Sequence, residues 1–140
     1  MNDPTATYVA IIRARDRLYR RATSTISGIG LSEPQFNVLR ILRGATSPLP
    51  TSELGRRMIT RVPDITRLVD RLESGGLVCR HRAPQGDRRK VLVEITPAGL
   101  KKISPLDEEL AAQVAEMFDG LKSSELDTLV DLLDRVSPGS

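Results

Sequence analysis

Aromatic residues are nearly missing from this 140-residue chain, which has two Phe, two Tyr and no Trp. So few rings give no sign of a pocket built to stack an aromatic ligand, and the identity of any small-molecule effector cannot be read from composition. Cysteine and histidine occur once each, as Cys79 and His81. A single thiol cannot form an internal disulfide, which agrees with a reducing compartment. Cys79 and His81 lie two apart, hence on one face of a strand, where they could act as two metal ligands or as nucleophile and base. Zinc ordinarily takes three or more protein ligands, and Glu94 across the hairpin is the one nearby candidate for a third. No metal site, cofactor or enzymatic activity is therefore expected. No apolar run is long enough to span a bilayer, and from Arg13 onward arginines interrupt the apolar positions, so no secretory signal is evident. A soluble, cytoplasmic protein without a membrane partner is expected.

What is present is charge, unevenly placed. The net charge is only +3, yet residues 54 to 90 hold ten Lys/Arg against four Asp/Glu, an excess of six. From residue 103 onward, nine acidic residues face Lys122 and Arg135, an excess of seven negative charges. Such a chain can aim one module at phosphates while the rest stays off them. With 39% hydrophobic residues there is enough apolar material for one domain's core.

The periodicity gives the order of elements. Tyr8, Ile11, Ile12, Leu18, Tyr19, Ala22 and Ile26 predict a first helix over residues 5–26, closed by Gly28 and Gly30. Ser32 caps a second helix with Pro34 in its first turn, ending near Gly44. Thr51 or Ser52 caps a short third helix, Glu53 to Met58. In the fourth, Ile65, Leu68, Val69 and Leu72 form one apolar stripe while Pro63, Thr66, Arg67 and Asp70 face away. Its cap has two readings: Thr60, or Val62 with Pro63 opening the helix. After Gly75-Gly76, Leu77 to Arg82 and Val91 to Ile95 read as a hairpin around the polar turn Pro84 to Arg89. Thr96-Pro97 opens another helix, which Ser104-Pro105 kinks or restarts. Leu110, Val114, Met117, Phe118 and Leu121 continue as a stripe, and Leu126, Leu129, Val130 and Leu133 line a last helix begun at Ser123 or Ser124. No repeat is found, and Ser137 to Ser140 reads as a frayed tail.

Two short helices in close succession, the second with a polar outer face and a basic hairpin behind it, make a winged helix-turn-helix. The fold class is mostly α with a small β-hairpin wing, flanked by N- and C-terminal dimerisation helices. The chain reads as one domain, 1–140, in which 31–97 reads DNA and 5–26 with 98–136 dimerise. The terminal stripes, with Tyr8, Ile11 and Ile12 at one end and Leu110 to Leu133 at the other, need partners. A two-fold homodimer would set two recognition helices about 34 to 36 Å apart, the spacing of successive major grooves. The rival reading is a helical adaptor that docks protein or RNA, which would lack both steep salt dependence and sequence preference.

The stretch Ile65-Thr66-Arg67-Leu68-Val69-Asp70-Arg71-Leu72-Glu73, then Gly76-Leu77-Val78, Gly86-Asp87-Arg88-Arg89 and Val91 through Gly99, resembles the MarR family of bacterial transcriptional regulators over nearly the whole chain. The resemblance implies a homodimeric protein on pseudo-palindromic double-stranded DNA, often a repressor released by a small ligand or an oxidant. It places Pro63, Asp64, Thr66 and Arg67 in the first turns of the recognition helix, with Arg61 and Arg71 as phosphate clamps. Arg67 can give two parallel hydrogen bonds to guanine O6 and N7. Arg71 has an equal alternative, an ion pair with Asp70 or Glu73. In the wing, Asp87 would orient Arg89 for a narrow minor groove, helped by Arg88 and Lys90. The family's peroxide sensors carry their reactive cysteine among the dimerisation helices, so that role does not pass to Cys79. Two departures stand out: residues 58–63 lack the usual Gly-Val-Ser/Thr lead into the recognition helix, and Pro105 interrupts a helix that many relatives make continuous.

Overall fold

A computed structural model describes residues 3–136, so the tail expected from Ser137 lies outside the described residues. Helix α1 covers Pro4–Ser27, slightly longer than its apolar period predicts, because Asp3 caps it. The Asp3 carboxylate accepts the Ala6 N–H at 2.7 Å, and Pro4 fills a first-turn position that has no amide to satisfy. Helix α2, Glu33–Gly44, starts where expected: the Ser32 hydroxyl accepts the Gln35 N–H, and the Gln35 side chain accepts the Ser32 N–H at 2.9 Å.

Next comes a strand that the sequence reading did not foresee. β1, Leu49–Pro50, pairs antiparallel with residues 92 and 93. A strand of two residues ending in proline carries no period, and proline confines it to an edge, where it lies in the order β1-β3-β2. Helix α3, Thr51–Arg57, then begins at once with Pro50 in the cap position. Thr51 and Ser52 are thus inside the helix and do not cap it, and its start moves back from Glu53.

The recognition helix α4 is Ile65–Ser74. Its cap is Asp64, whose carboxylate accepts the Arg67 N–H at 3.0 Å. Neither Thr60 nor Val62 fills that role. Pro63 and Asp64 consequently stand ahead of the helix and not in its first turns, because the Asp64 carboxylate satisfies a free amide that proline, with no side-chain acceptor, cannot. Strands β2, Val78–Arg82, and β3, Val91–Ile95, form the wing hairpin, with Cys79 opposite Glu94 and Arg80 opposite Val93.

Helix α5 covers Pro97–Ile103 and is capped by Thr96. The Thr96 hydroxyl accepts the Gly99 N–H at 3.1 Å and donates to the Gly76 carbonyl at 2.7 Å, tying the foot of the wing to α5. Gly99 packs so close that a Cβ would lie 2.3 Å from the Leu77 carbonyl oxygen. Ser104-Pro105 ends α5, and α6 restarts at Leu106–Met117. The stripe expected to reach Leu121 stops earlier, since Asp119-Gly120 turns the chain and leaves Phe118 and Leu121 in the connection to α7, Ser123–Arg135.

Phe36, Val38, Leu39 and Leu42 of α2, Leu54 of α3, Val69 and Leu72 of α4, and Val78 and Val93 of the hairpin form the core, closed by Ile26, Ile103 and Leu106. The winged unit therefore owns nearly all the buried apolar surface. Helix α7 buries no residue fully. No described helix is long and apolar enough to cross a membrane.

Candidate nucleic-acid interface

With Asp64 as cap, the first turn of α4 presents Thr66 and Arg67 outward while Val69 and Leu72 hold the opposite face in the core. Pro63, Asp64, Arg67 and Arg71 join Ser32 and Gln35 of the α2 start around an open groove of about 360 Å³. Arg61, Arg67 and Arg71 make no ion pair among the described residues, so their guanidinium groups are available to phosphates and base edges. The intramolecular alternative for Arg71 is not formed. Both carboxylates it could have used, Asp70 and Glu73, are bound by Arg80 of β2.

Arg80 was not singled out in the sequence, where it reads as one more cation of the basic module. Its Nη2 lies 2.9 Å from Glu73 Oε1 and 2.5 Å from Asp70 Oδ1, and its main-chain N–H donates to Glu73 Oε2 at 2.8 Å. The Arg80 bonds hold the Glu73 carboxyl below its ordinary range. A second missed residue is Asn37, buried on α2, whose Oδ1 accepts the Ile59 N–H at 2.9 Å and so fixes the chain between α3 and α4. One signal could have found it: a lone amide among Phe36, Val38 and Leu39 must satisfy a backbone group to be buried there.

At the wing tip, Asp87 Oδ1 accepts both the main-chain N–H of Arg89 at 3.0 Å and its Nε at 3.1 Å. These bonds hold the Asp87 carboxyl below its usual range, the backbone bond first. The Arg89 side chain, 92% exposed, is thus aimed by its root while its far end stays in solvent. Arg82 donates to the Arg88 carbonyl at 3.2 Å and braces the loop from within. Arg88 and Lys90 carry exposed charge on either side. Arg56 and Arg57 of α3 differ, for both are paired with Glu53.

Cys79 Sγ lies 3.6 Å from Glu94 Oε1, and His81 Nε2 lies 3.8 Å from the same oxygen. Burial, and then the neighbouring Glu94 carboxylate, push the Cys79 thiol above its ordinary range. Among the described residues no group of three or more His, Cys, Asp or Glu is arranged to hold a metal ion.

The terminal helices leave apolar surface uncovered. Tyr8 is 66% and Val130 58% exposed, and Ile12, Val114, Leu121, Leu129 and Leu133 are exposed as well. Met117, Phe118 and Leu126 are half-buried. Leu110 differs from the other residues of its stripe, packing against the core of its own chain. Ile11, Leu18, Tyr19, Phe118, Leu129 and Leu133 line a mostly apolar cavity of about 630 Å³ that also meets Arg15, Glu33, Ile59 and Thr60.

Residues 31–91 match the model of the MarR family. A MarR transcription factor from Planctomyces limnophilus is 34% identical, with 96% of this chain and 97% of that one covered and a TM-score of 0.71. A mutant MarR from E. coli complexed with operator DNA is 26% identical, with coverage of 98% and 100% and a TM-score of 0.77. The PcaV transcriptional regulator from Streptomyces coelicolor, in complex with its natural ligand, is 26% identical, with coverage of 97% and 92% and a TM-score of 0.75.

Proposed function

The chain belongs to the MarR family of transcriptional regulators, which are not enzymes, and from that premise we propose that it is a ligand-responsive repressor acting as a homodimer on a pseudo-palindromic operator. In this reading residues 31–97 read DNA, and 5–26 with 98–136 dimerise. Thr66 and Arg67 enter the major groove, with Pro63 and Asp64 at the lip. Arg61 and Arg71 hold phosphates, and Arg89, oriented by Asp87 and flanked by Arg88 and Lys90, enters the minor groove.

One observation carries the reading. Among the described residues, the cations of α4 and of the wing tip pair with no carboxylate other than the Asp87 that aims Arg89, whereas Arg56 and Arg57 of the adjoining α3 are paired. A face that keeps its cations free on the groove-reading elements is suited to phosphate. The exposed stripe of α1 and α7 supports a second copy as partner, since apolar side chains at helical spacing are stable only when covered.

The effector, in this reading, enters the cavity between α1, α7 and the segment at Ile59-Thr60. That segment runs directly into the cap of α4, so a ligand favouring one spacing of the two recognition helices must change DNA affinity by linkage. The test is retention of fragmented genomic DNA by the purified protein, followed by footprinting. A symmetric protected site, lost steeply with salt, is expected; binding no tighter than to scrambled duplex rejects the proposal.

A further inference from the structure

We infer that Arg80 is the positioning residue that locks the wing to the recognition helix, so that Arg89 meets the minor groove when Arg67 is seated in the major groove. The inference rests on the DNA-binding reading above. Helix and hairpin are joined through Gly75 and Gly76, the latter at φ +75°, and the joint is fixed at its foot by the Leu77 N–H donating to the Leu72 carbonyl at 3.0 Å and by buried Leu72 and Val78. Above that foot, Arg80 makes the polar contacts that span helix and hairpin.

Arg80 faces Val93 across the hairpin and therefore leaves it on the inner, core-facing side, where Asp70 and Glu73 lie three residues apart on one face of α4. Glu73 divides its oxygens, Oε2 accepting the Arg80 amide at 2.8 Å and Oε1 accepting Nε at 3.2 Å and Nη2 at 2.9 Å, while Nη2 also meets Asp70. The amide belongs to an edge strand, β2 in the order β1-β3-β2, so Glu73 also satisfies a backbone group that no strand covers. With its side chain 26% exposed, Arg80 is withdrawn from the surface that Arg89 occupies.

The hairpin acts as a lever. At about 3.3 Å per residue, β2 runs about 7 Å beyond Arg80 to Arg82, where the loop that carries Asp87 and Arg89 begins, so a rotation at the hairpin base is magnified at the tip and shifts Arg89 relative to its groove. The same guanidinium offsets one of the two negative charges that Asp70 and Glu73 place beside Arg67 and Arg71.

The test uses the full chain and the duplex it selects from a random-sequence pool, prepared with A·T-rich or G·C-rich flanks. Arg80→Met should bind the A·T-flanked site about tenfold more weakly and the G·C-flanked site less than about threefold, with Arg89→Ala adding little to it. Arg80→Lys, which keeps the positive charge between Asp70 and Glu73 and leaves the main-chain bond to Glu73 in place, should retain more of the flank preference than Arg80→Met. Multiplying losses for Arg80→Met and Arg89→Ala, or equal weakening on both flanks with the salt slope reduced by about one, would make Arg80 a direct phosphate contact and overturn the inference. Unchanged binding would overturn it too. Should Arg80→Met melt below the assay temperature, Glu73→Ala takes its place with the same expected and contrary results. A wild type with no site preference counts against the operator reading alone, because the lock is also read without DNA: the Arg80 amide should exchange slowly and lose that protection in Glu73→Ala, and equal exchange in both refutes it.

Discussion

At the residue scale, the proposed interface rests on which cations are left free. Among the described residues, Arg67 stands on the first turn of α4 without a carboxylate partner, and Arg89 is held at its root by Asp87. Their roles differ accordingly. Arg67→Ala should cost about 1 to 3 kcal/mol on the operator and relax preference at one base step per half-site, whereas Arg89→Ala should weaken A·T-flanked sites most. Binding titrations over a panel of single-base operator variants check both, and identical profiles for the two variants would contradict the assignment. Asp64 acts by another route, since its carboxylate caps α4 through the Arg67 amide. Asp64→Ala should lower stability by about 1 kcal/mol in urea denaturation, with Asp64→Ser losing less because serine also caps. Equal losses for both would mean that the carboxylate matters by its charge alone.

At the element scale, the helices, the hairpin and their order were legible because each carries a complete local code. The α2 start shows it best, with Ser32, Pro34 and Gln35 all acting as their residue types predict. What was not legible depended on contacts between elements. β1 is too short for a period and exists because Leu49 and Pro50 lie against β3. Local sequence leaves the cap of α4 open between Thr60 and Val62 with Pro63 opening the helix, whereas the residue that fills it is Asp64, which the family resemblance places in the first turns. Arg80 looked like any other cation until α4 and β2 were side by side, while the Asp87–Arg89 pair, two residues apart, could be read directly. The contact of α5 with the foot of the wing is also tertiary. Gly99→Ala should destabilise by about 1 to 3 kcal/mol, because the added methyl meets the Leu77 backbone, which cannot move aside without pulling β2. Chemical denaturation measures this, and an unchanged midpoint would contradict the close packing.

At the scale of the whole molecule, the winged unit holds most of the core, while the terminal helices hold most of the uncovered large apolar side chains, Ile59 between α3 and α4 being an exception. The acidic excess beyond residue 103 falls on α6 and α7 and the basic excess of residues 54 to 90 on the winged unit, a distribution suited to turning the winged unit toward DNA. Val130→Asp with Leu133→Asp should give a monomer in sedimentation with the winged core intact, because α7 buries no residue fully within its own chain. Operator affinity should then fall on the order of a hundredfold, as two linked contacts become one. A dimer that survives both aspartates would move the interface elsewhere.

The most direct measurement is the number of chains bound per duplex, on the selected site and on the same site with about half a helical turn inserted between its half-sites. The account predicts two chains on the selected site and a collapse of affinity on the lengthened one. One chain bound at full affinity, or indifference to the insertion, would contradict it.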